Sequence, residues 1–227
     1  MNLNATISPR LIAIGDIHGY SAALHAVLDA IAPQPCDTLV TLGDYVDRGP
    51  DSRGVLDTLI DLQNRCRLVP LLGNHDQLFL QVCEGRDEWF VDWLAFGGGE
   101  TLGSYGGKLA NVPAEHLEFL RNCERFFETS RYFFAHANYV ADQPLAEQSD
   151  ETLLWESLRG RVPEPHQSGK IAIVGHSAQK ATSEILDLGH LICLDTWIYG
   201  EGWLTAMDVE TREVWRADQE GGVPAAG

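Results

Sequence analysis

Five short apolar runs in this chain each end in a small residue followed by side chains that bind metals or move protons. The endings are Gly15-Asp16-Ile17-His18-Gly19, Gly43-Asp44-Tyr45-Val46-Asp47-Arg48-Gly49, Gly73-Asn74-His75-Asp76, Ala135-His136-Ala137 and Gly175-His176-Ser177. Together they offer carboxylates, an amide oxygen and imidazoles but no thiolate, which suits a hydrolytic metal pair better than a structural zinc. Asp16 and His18, two apart in a loop, can clasp one ion. Asn74, His136 and His176 can hold a second, and Asp44 is the natural bridge. Two divalent cations outweigh the two carboxylates, so the site inverts the local charge and attracts a phosphate dianion. A water shared by two such ions is acidified until hydroxide exists near neutral pH, ready for in-line attack on phosphorus. Arg48 offers a planar fork of donors matched to phosphate oxygens. His75 can protonate the leaving alkoxide, and Asp47 can orient that imidazole.

For groups so distant in sequence to meet, the runs before them must be strands whose carboxyl ends gather ligands, as in open α/β sheets. Residues 10–14, 38–42, 67–72, 131–135 and 170–174 have strand length and are too uniformly apolar for a one-sided sheet, so they read as buried strands. Glycine at the strand end lets the chain turn sharply and approach a ligand. Between the runs, Tyr20, Leu24, Val27, Leu28 and Ile31 share a helical face, as do Val55, Leu56, Leu59, Ile60 and Leu62. The first half is therefore β-α-β-α-β. From about residue 183 the pattern becomes short strands broken by turns, which predicts an antiparallel meander closing a second sheet. Residues 84–112 place Trp89, Phe90, Trp93 and Phe96 at helical spacing before GGGETLGSYGG. That is either a flap beside the site or core followed by a loop. Trp197, Tyr199 and Trp203 either stack on a base or fill a core, with core the reading for two of the three. Residues 1–217 are expected to form a single domain and 218–227 a flexible tail.

Composition excludes whole classes of function. With 16 Lys+Arg against 33 Asp+Glu the formal charge is −17, which argues against nucleic acid as a partner. A chain of 227 residues that is 44% hydrophobic and 22% charged is globular and not disordered. No window approaches the roughly 20 apolar residues of a membrane span, and MNLNATISPR lacks the order of a secretory signal. The expectation is a cytoplasmic protein with no membrane partner. Cys36, Cys66, Cys83, Cys123 and Cys193 are scattered without C-x-x-C spacing and read as small apolar core or surface residues. His25, His116, His166 and His190 lie outside the five motifs and read as surface or packing residues. The acidic stretch 142–156 is a solvated loop entering a helix, or else lines a groove that favours basic substrate peptides.

GDIHG, GDYVDRG, GNHD, HAN and VGH, in this order, resemble the phosphoprotein phosphatase branch of the calcineurin-like metallophosphoesterases, especially the compact bacterial and phage serine/threonine phosphatases. The likeness continues through FGGGETLGSYG, PAEHLEFLRN before RYFFAHA, and LDTWIYGEGWLTAMDV. It implies an α/β (α+β) fold, a β-sandwich of two mixed sheets flanked by helices. It also implies two divalent metal ions, commonly manganese in bacterial members with iron or zinc as alternatives, and single-step hydrolysis by metal-bound water. The same ligand roles follow for Asp16, His18, Asp44, Asn74, His136 and His176. Three departures stand out. GNHD replaces GNHE, an acidic swap outside the ligand set, and VGHSA replaces the commoner VGHT while keeping His176. More seriously, the second phosphate-binding arginine of L-L-W-x-R is Ser157 here, so Arg159 or Arg161 would have to reach in. The implied activity is hydrolysis of phosphoserine or phosphothreonine in a phosphorylated protein, or of a small phosphoester. The rival is a bis(5'-nucleosyl)-tetraphosphatase, whose family shares the core motifs and often shows GNHD but generally lacks an acid at the position of Asp47. A catalytically dead binding module is a third class, which the complete ligand set does not recommend.

Overall fold

The computed structural model describes residues 8–224. Its first three strands are β1 (Leu11–Ile14), β2 (Thr38–Thr41) and β3 (Arg67–Pro70). They alternate with helices α1 (Ser21–Ile31) and α2 (Ser52–Leu62), and α3 (Asn74–Cys83) follows β3. After the short helices α4 (Phe90–Trp93), α5 (Gly99–Ser104) and α6 (Ala114–Arg121) come β4 (Phe126–Glu128), β5 (Tyr132–Ala135) and β6 (Ile171–Val174). All five apolar runs are thus strands, joined by β4, which the apolar pattern did not announce.

The runs are continuous because each strand is covered on both faces. Ile12, Ile14 and Leu39 pack against α1 and α2, whereas Ala13, Val40 and Val69 face Tyr132, Phe134 and Ile173 of the other sheet. Phe133, Ala135, Ala172 and Val174 point outward into a third cluster with Leu153 and Leu154. Burying one aliphatic side chain of this kind stabilises the fold by roughly 1.5–3 kcal/mol. The architecture is therefore two mixed five-stranded sheets face to face, flanked by helices, in the orders β10-β9-β1-β2-β3 and β4-β5-β6-β8-β7.

The late strands correct the expected meander. The hairpin of β7 (Leu186–Asp187) and β8 (Leu191–Cys193) extends the second sheet, with β8 parallel to β6. The hairpin of β9 (Leu204–Asp208) and β10 (Val214–Ala217) returns instead to the first sheet, where β9 runs antiparallel to β1. Turn spacing specifies which strands are neighbours in a hairpin but not which sheet edge receives them. β9 covers the edge of β1 that would otherwise expose unpaired backbone groups.

Residues 84–112 also divide. Trp93 is fully buried and stacks on Phe79 at 5.6 Å, whereas Trp89 and Phe96 remain 41% and 49% exposed. Between α4 and α5 the residues Leu94–Gly98 form a π-helical turn broken at Gly97 (φ 105°). The segment expected to be a loose tail forms, from Asp218 to Gly222, a hydrogen-bonded turn, and Gln219 donates to the carbonyls of Ile198 and Gly200. Those bonds tie residues 218–222 to the body, and residues 225–227 lie outside the described range.

Candidate metal centre and phosphate site

The carboxyl ends of β1, β2, β3, β5 and β6 converge, and the loops that leave them interlock through their backbones. The amides of Ile17 and His18 donate to Asp44 O at 3.1 and 2.7 Å, Gly19 N donates to Tyr45 O, and Gly175 N donates to His136 O. Asp76 fastens two loops, accepting from Gly73 N at 3.0 Å and from Tyr45 N at 2.9 Å. The turns are made by the functional residues themselves. His18, Asp44, Asp47, Arg48 and His176 all have left-handed φ, between 48° and 72°. Residues with a β-carbon rarely adopt that region, at a cost of about 1–3 kcal/mol each, and such strain collects at functional sites.

Each imidazole has one ring nitrogen committed outward, which fixes where its lone pair points. His18 Nδ1 donates to Val46 O (3.1 Å), His136 Nδ1 to Leu42 O (2.6 Å) and His176 Nε2 to Trp155 O (3.1 Å). The remaining nitrogens face inward as acceptors. His136 Nε2 and His176 Nδ1 each lie 3.0 Å from Asn74 Oδ1. His136 Nε2 is also 3.4 Å from Asp44 Oδ1, and His18 Nε2 is 3.5 Å from Asp44 Oδ2. Lone pair faces lone pair in these contacts, with no proton to share. Such a buried arrangement is costly unless a cation neutralises it.

Electrostatics reinforce that reading. Burial holds His18 well below the ordinary imidazole pKa and lowers His136, and it pushes His176 down to about 4, so all three are neutral and in their ligand form. Burial opposes the charge on Asp44, but protonation of the surrounding imidazoles, His136 first, would favour that charge more strongly and hold the carboxyl below the usual range; with the rings neutral, that stabilising role falls to a bound cation. Asp16 is pushed well above that range by burial and by the nearby carboxylates of Asp195 and Asp44. Its two oxygens accept from His176 N at 3.1 and 3.0 Å. His18, Asp44, Asn74, His136 and His176 bring their side-chain donors together, whereas Asp16 meets them through the backbone of His176, and this donor set fits divalent cations. Two overlapping groups, His18–Asp44–His75 and Asp44–His136–His176, share Asp44.

Asp195, a further buried carboxylate, lies near enough to raise Asp16, and burial pushes it up to about 6. Sequence reasoning missed it because in LICLD the aspartate follows Leu194, without the small residue that precedes the ligand in each of the five motifs.

Beside the cluster, His75 Nδ1 donates to Asp47 Oδ2 at 2.8 Å, while Asp47 Oδ1 accepts from Trp93 Nε1 (3.0 Å) and Thr101 Oγ1 (2.8 Å). Arg48 directs Nη1 to His18 Nε2 (3.0 Å) and Nη2 to His75 Nε2 (2.9 Å). Its backbone N donates to Gly97 O at 3.0 Å, and a β-carbon on Gly97 would lie 2.8 Å from that nitrogen, so only glycine fits there. The aromatic and glycine-rich segment therefore both fills core and braces the site. Tyr199, weighed as a base-stacking or core residue, instead packs on Arg48, whose Cζ lies 3.9 Å from the ring centroid.

The arginine candidates separate. Arg161 is committed elsewhere, paired with Glu156 through two bonds (2.6 and 2.8 Å) and bonded to Tyr139 O. Arg159 donates to Ala178 O at 2.6 Å, on the turn after His176, and its charge is felt at Asp195 and Tyr199. Ser157 Oγ lies 3.2 Å from Ser177 Oγ and supplies no charge. His116, which bonds to Tyr105 and Asp57, and His166, which bonds to Gln143 O and Ser168, are buried packing residues.

The chain is 35% identical over 133 residues to the symmetrical bis(5'-nucleosyl)-tetraphosphatase of Acidovorax sp. (strain JS42), a match covering 46% of each chain. It thus spans under half the length of that relative. It is 29% identical over 159 residues to serine/threonine-protein phosphatase 2 of Escherichia coli (strain K12), covering 67% of this chain and 70% of that one. Among solved structures, a cold-active protein-tyrosine phosphatase of a psychrophile Shewanella sp. superposes with a TM-score of 0.65 at 17% identity, covering 96% of this chain and 80% of that one, a likeness of fold alone. The family description of calcineurin-like phosphoesterases matches residues 9–200, from the strand before Asp16 to the loop that carries Tyr199. Because that stretch contains every loop that meets at the cluster, the chain belongs to the calcineurin-like phosphoesterase family.

Proposed function

We propose that this phosphoesterase hydrolyses phosphomonoesters, with phosphoserine and phosphothreonine in proteins as its substrates. The observation that carries the reading is the Asp47–His75 hydrogen bond of 2.8 Å beside the Arg48 fork. Asp16, His18, Asp44, Asn74, His136 and His176 would hold two divalent cations, taken here as manganese with iron or zinc as alternatives. When bound, such cations supply Lewis acidity, offsetting phosphate charge and lowering the pKa of water.

The chain's own residues do the rest. A phosphate dianion is a stronger acceptor for a guanidinium than a neutral imidazole lone pair. On substrate entry Arg48 therefore turns its Nη atoms from His18 and His75 to phosphate oxygens, while Tyr199 supports its planar group from the ring face. Asp47 fixes Nδ1–H on His75, so once Arg48 has turned from Nε2 to the phosphate, that nitrogen is free to take up a proton from solvent and pass it to the leaving oxygen, next to where Arg48 holds the phosphoryl group. Trp93 and Thr101 in turn hold the Asp47 carboxylate.

A second reading, hydrolysis of dinucleoside polyphosphates, is favoured by the 35% identity to a symmetrical tetraphosphatase. Turnover of a phosphoserine peptide against diadenosine tetraphosphate, both with manganese, separates the two. The peptide is expected to be the better substrate by kcat/KM, and a clear preference for the dinucleotide overturns the reading.

A further inference from the structure

Among the described residues, Arg48 is the one cation that touches the imidazole cluster directly, through His18 and His75. Close by, Lys180 extends over the rings of Tyr199 and Trp197, with Nζ 5.5 and 5.9 Å from their centroids. Tyr199 is the ring on which Arg48 also packs, so the two charges share one aromatic platform and their separation is bounded by the sum of their distances to it. Lys180 is exposed and, unlike Lys170, which pairs with Glu128 at 2.6 Å, it has no carboxylate partner among the described residues.

The position is built. Lys180 lies four residues after His176, in a turn where Lys180 N donates to Ala178 O and both Thr182 N and Ser183 N donate to Gln179 O. Gln179 N donates to Asp195 O, which ties the turn to the loop that carries Trp197 and Tyr199. Arg159 donates to the same Ala178 carbonyl, so its guanidinium braces the turn that presents Lys180. In a protein of net charge −17, an unpaired lysine held at the rim of an anion site over two aromatic faces is poorly explained as a solvated surface residue.

We propose that Lys180 is a substrate-binding residue, supplying the second positive contact to the phosphoryl oxygens beside Arg48. The inference rests on the phosphomonoesterase reading for its substrate but only on anion binding for its test. Its ammonium sits on a flexible stem with three donors, so it can leave the ring faces for a phosphate oxygen without moving the backbone. The contact is solvent-exposed and should raise affinity for phosphate more than it speeds the chemical step.

The test compares the metal-loaded wild type with Lys180→Ala, Lys180→Arg and Arg159→Ala. Binding of inorganic phosphate is measured by calorimetry, KM and kcat on p-nitrophenyl phosphate by absorbance, and metal content by elemental analysis. Lys180→Ala is expected to weaken phosphate binding and raise KM by roughly 5- to 20-fold, about 1–2 kcal/mol, with kcat within about 3-fold and metal content unchanged. Lys180→Arg should restore most of that loss, and Arg159→Ala should have the smaller effect of a loosened turn. Unchanged phosphate affinity in Lys180→Ala overturns the proposal, and so does a loss that arginine fails to rescue, which marks a structural role. A wild-type protein that binds phosphate but leaves every phosphomonoester intact refutes the reading of function instead, and the calorimetric comparison still decides the case of Lys180.

Discussion

Replacing Asp47 with asparagine isolates proton delivery from metal binding, because the buried Asp47 side chain bonds to His75, Trp93 and Thr101 and to none of the six proposed metal ligands, and asparagine keeps its shape. Its two oxygens carry different loads: Oδ1 takes Trp93 and Thr101, whereas Oδ2 takes only His75. Asparagine keeps its oxygen where two donors are waiting and must turn its NH2 toward His75 Nδ1. Two N–H groups then face each other at about 2.8 Å, and the clash is relieved only if His75 moves its proton from Nδ1 to Nε2. That nitrogen now meets Arg48 Nη2 at 2.9 Å, donor against donor, so the ring and the arginine are driven apart. A wrongly oriented or wrongly protonated acid costs roughly 10²–10⁴ in rate, equivalent to about 3–5 kcal/mol of barrier. Stability should fall less, by at most the roughly 1.5–3 kcal/mol of one charge-assisted hydrogen bond, since a buried charge is removed as well. The assay is kcat and KM on an aryl phosphate and on a phosphopeptide, together with metal content and Tm. Trp93→Phe serves as the control: it removes one donor from Oδ1, leaves the His75 bond intact, and should lower Tm while slowing turnover less than about tenfold. A kcat for Asp47→Asn within threefold of wild type, or a loss explained by missing metal, refutes the reasoning.

Asp44→Asn should lower metal occupancy, while His75→Asn should leave it near normal and slow turnover by about 10²–10⁴; metal analysis beside kcat separates the two, and normal turnover in the His75 variant removes its assigned role. A β-carbon on Gly73 would collide with the backbone nitrogen and Oδ1 of Asp44. Gly73→Ala should therefore weaken metal binding although every ligand is present, and destabilise the protein by about 1–3 kcal/mol, as overpacking does; titration calorimetry with manganese checks it. In the metal-free protein burial raises the Asp195 carboxyl to about 6. A raised acid favours the folded state below its unfolded pKa near 4, and that contribution is lost as pH rises through about 6. The stability of wild type relative to Asp195→Asn should accordingly fall by on the order of 2–3 kcal/mol between pH 4 and pH 7. Denaturant titrations with chelator present measure this, and a difference independent of pH refutes it.

What could be seen in the residues before the structure has a physical boundary. Strands such as Leu11–Ile14 and Tyr132–Ala135 were legible because both of their faces are covered, Ala13 by the opposite sheet and Ile12 by helices, which leaves an unbroken apolar run. The ligands were legible because each follows such a run closely after a small residue, a signal that Asp195, preceded by Leu194, lacks. By contrast, β4 (Phe126–Glu128) is three residues long and half-buried, too short for a pattern. The destination of the β9–β10 hairpin depended on the open edge of β1, which no turn residue encodes. Trp93 and Thr101 hold Asp47 from 46 and 54 residues away, and Tyr199 supports Arg48 from a loop after the last ligand. Least legible of all were protonation states. His18, His136 and His176 take their tautomers from the carbonyls of Val46, Leu42 and Trp155, each on another loop. Spacing can therefore nominate a histidine as a ligand, but only the packing of those loops turns the correct nitrogen inward. The left-handed backbone at His18, Asp44 and His176 is the strain that this aiming costs.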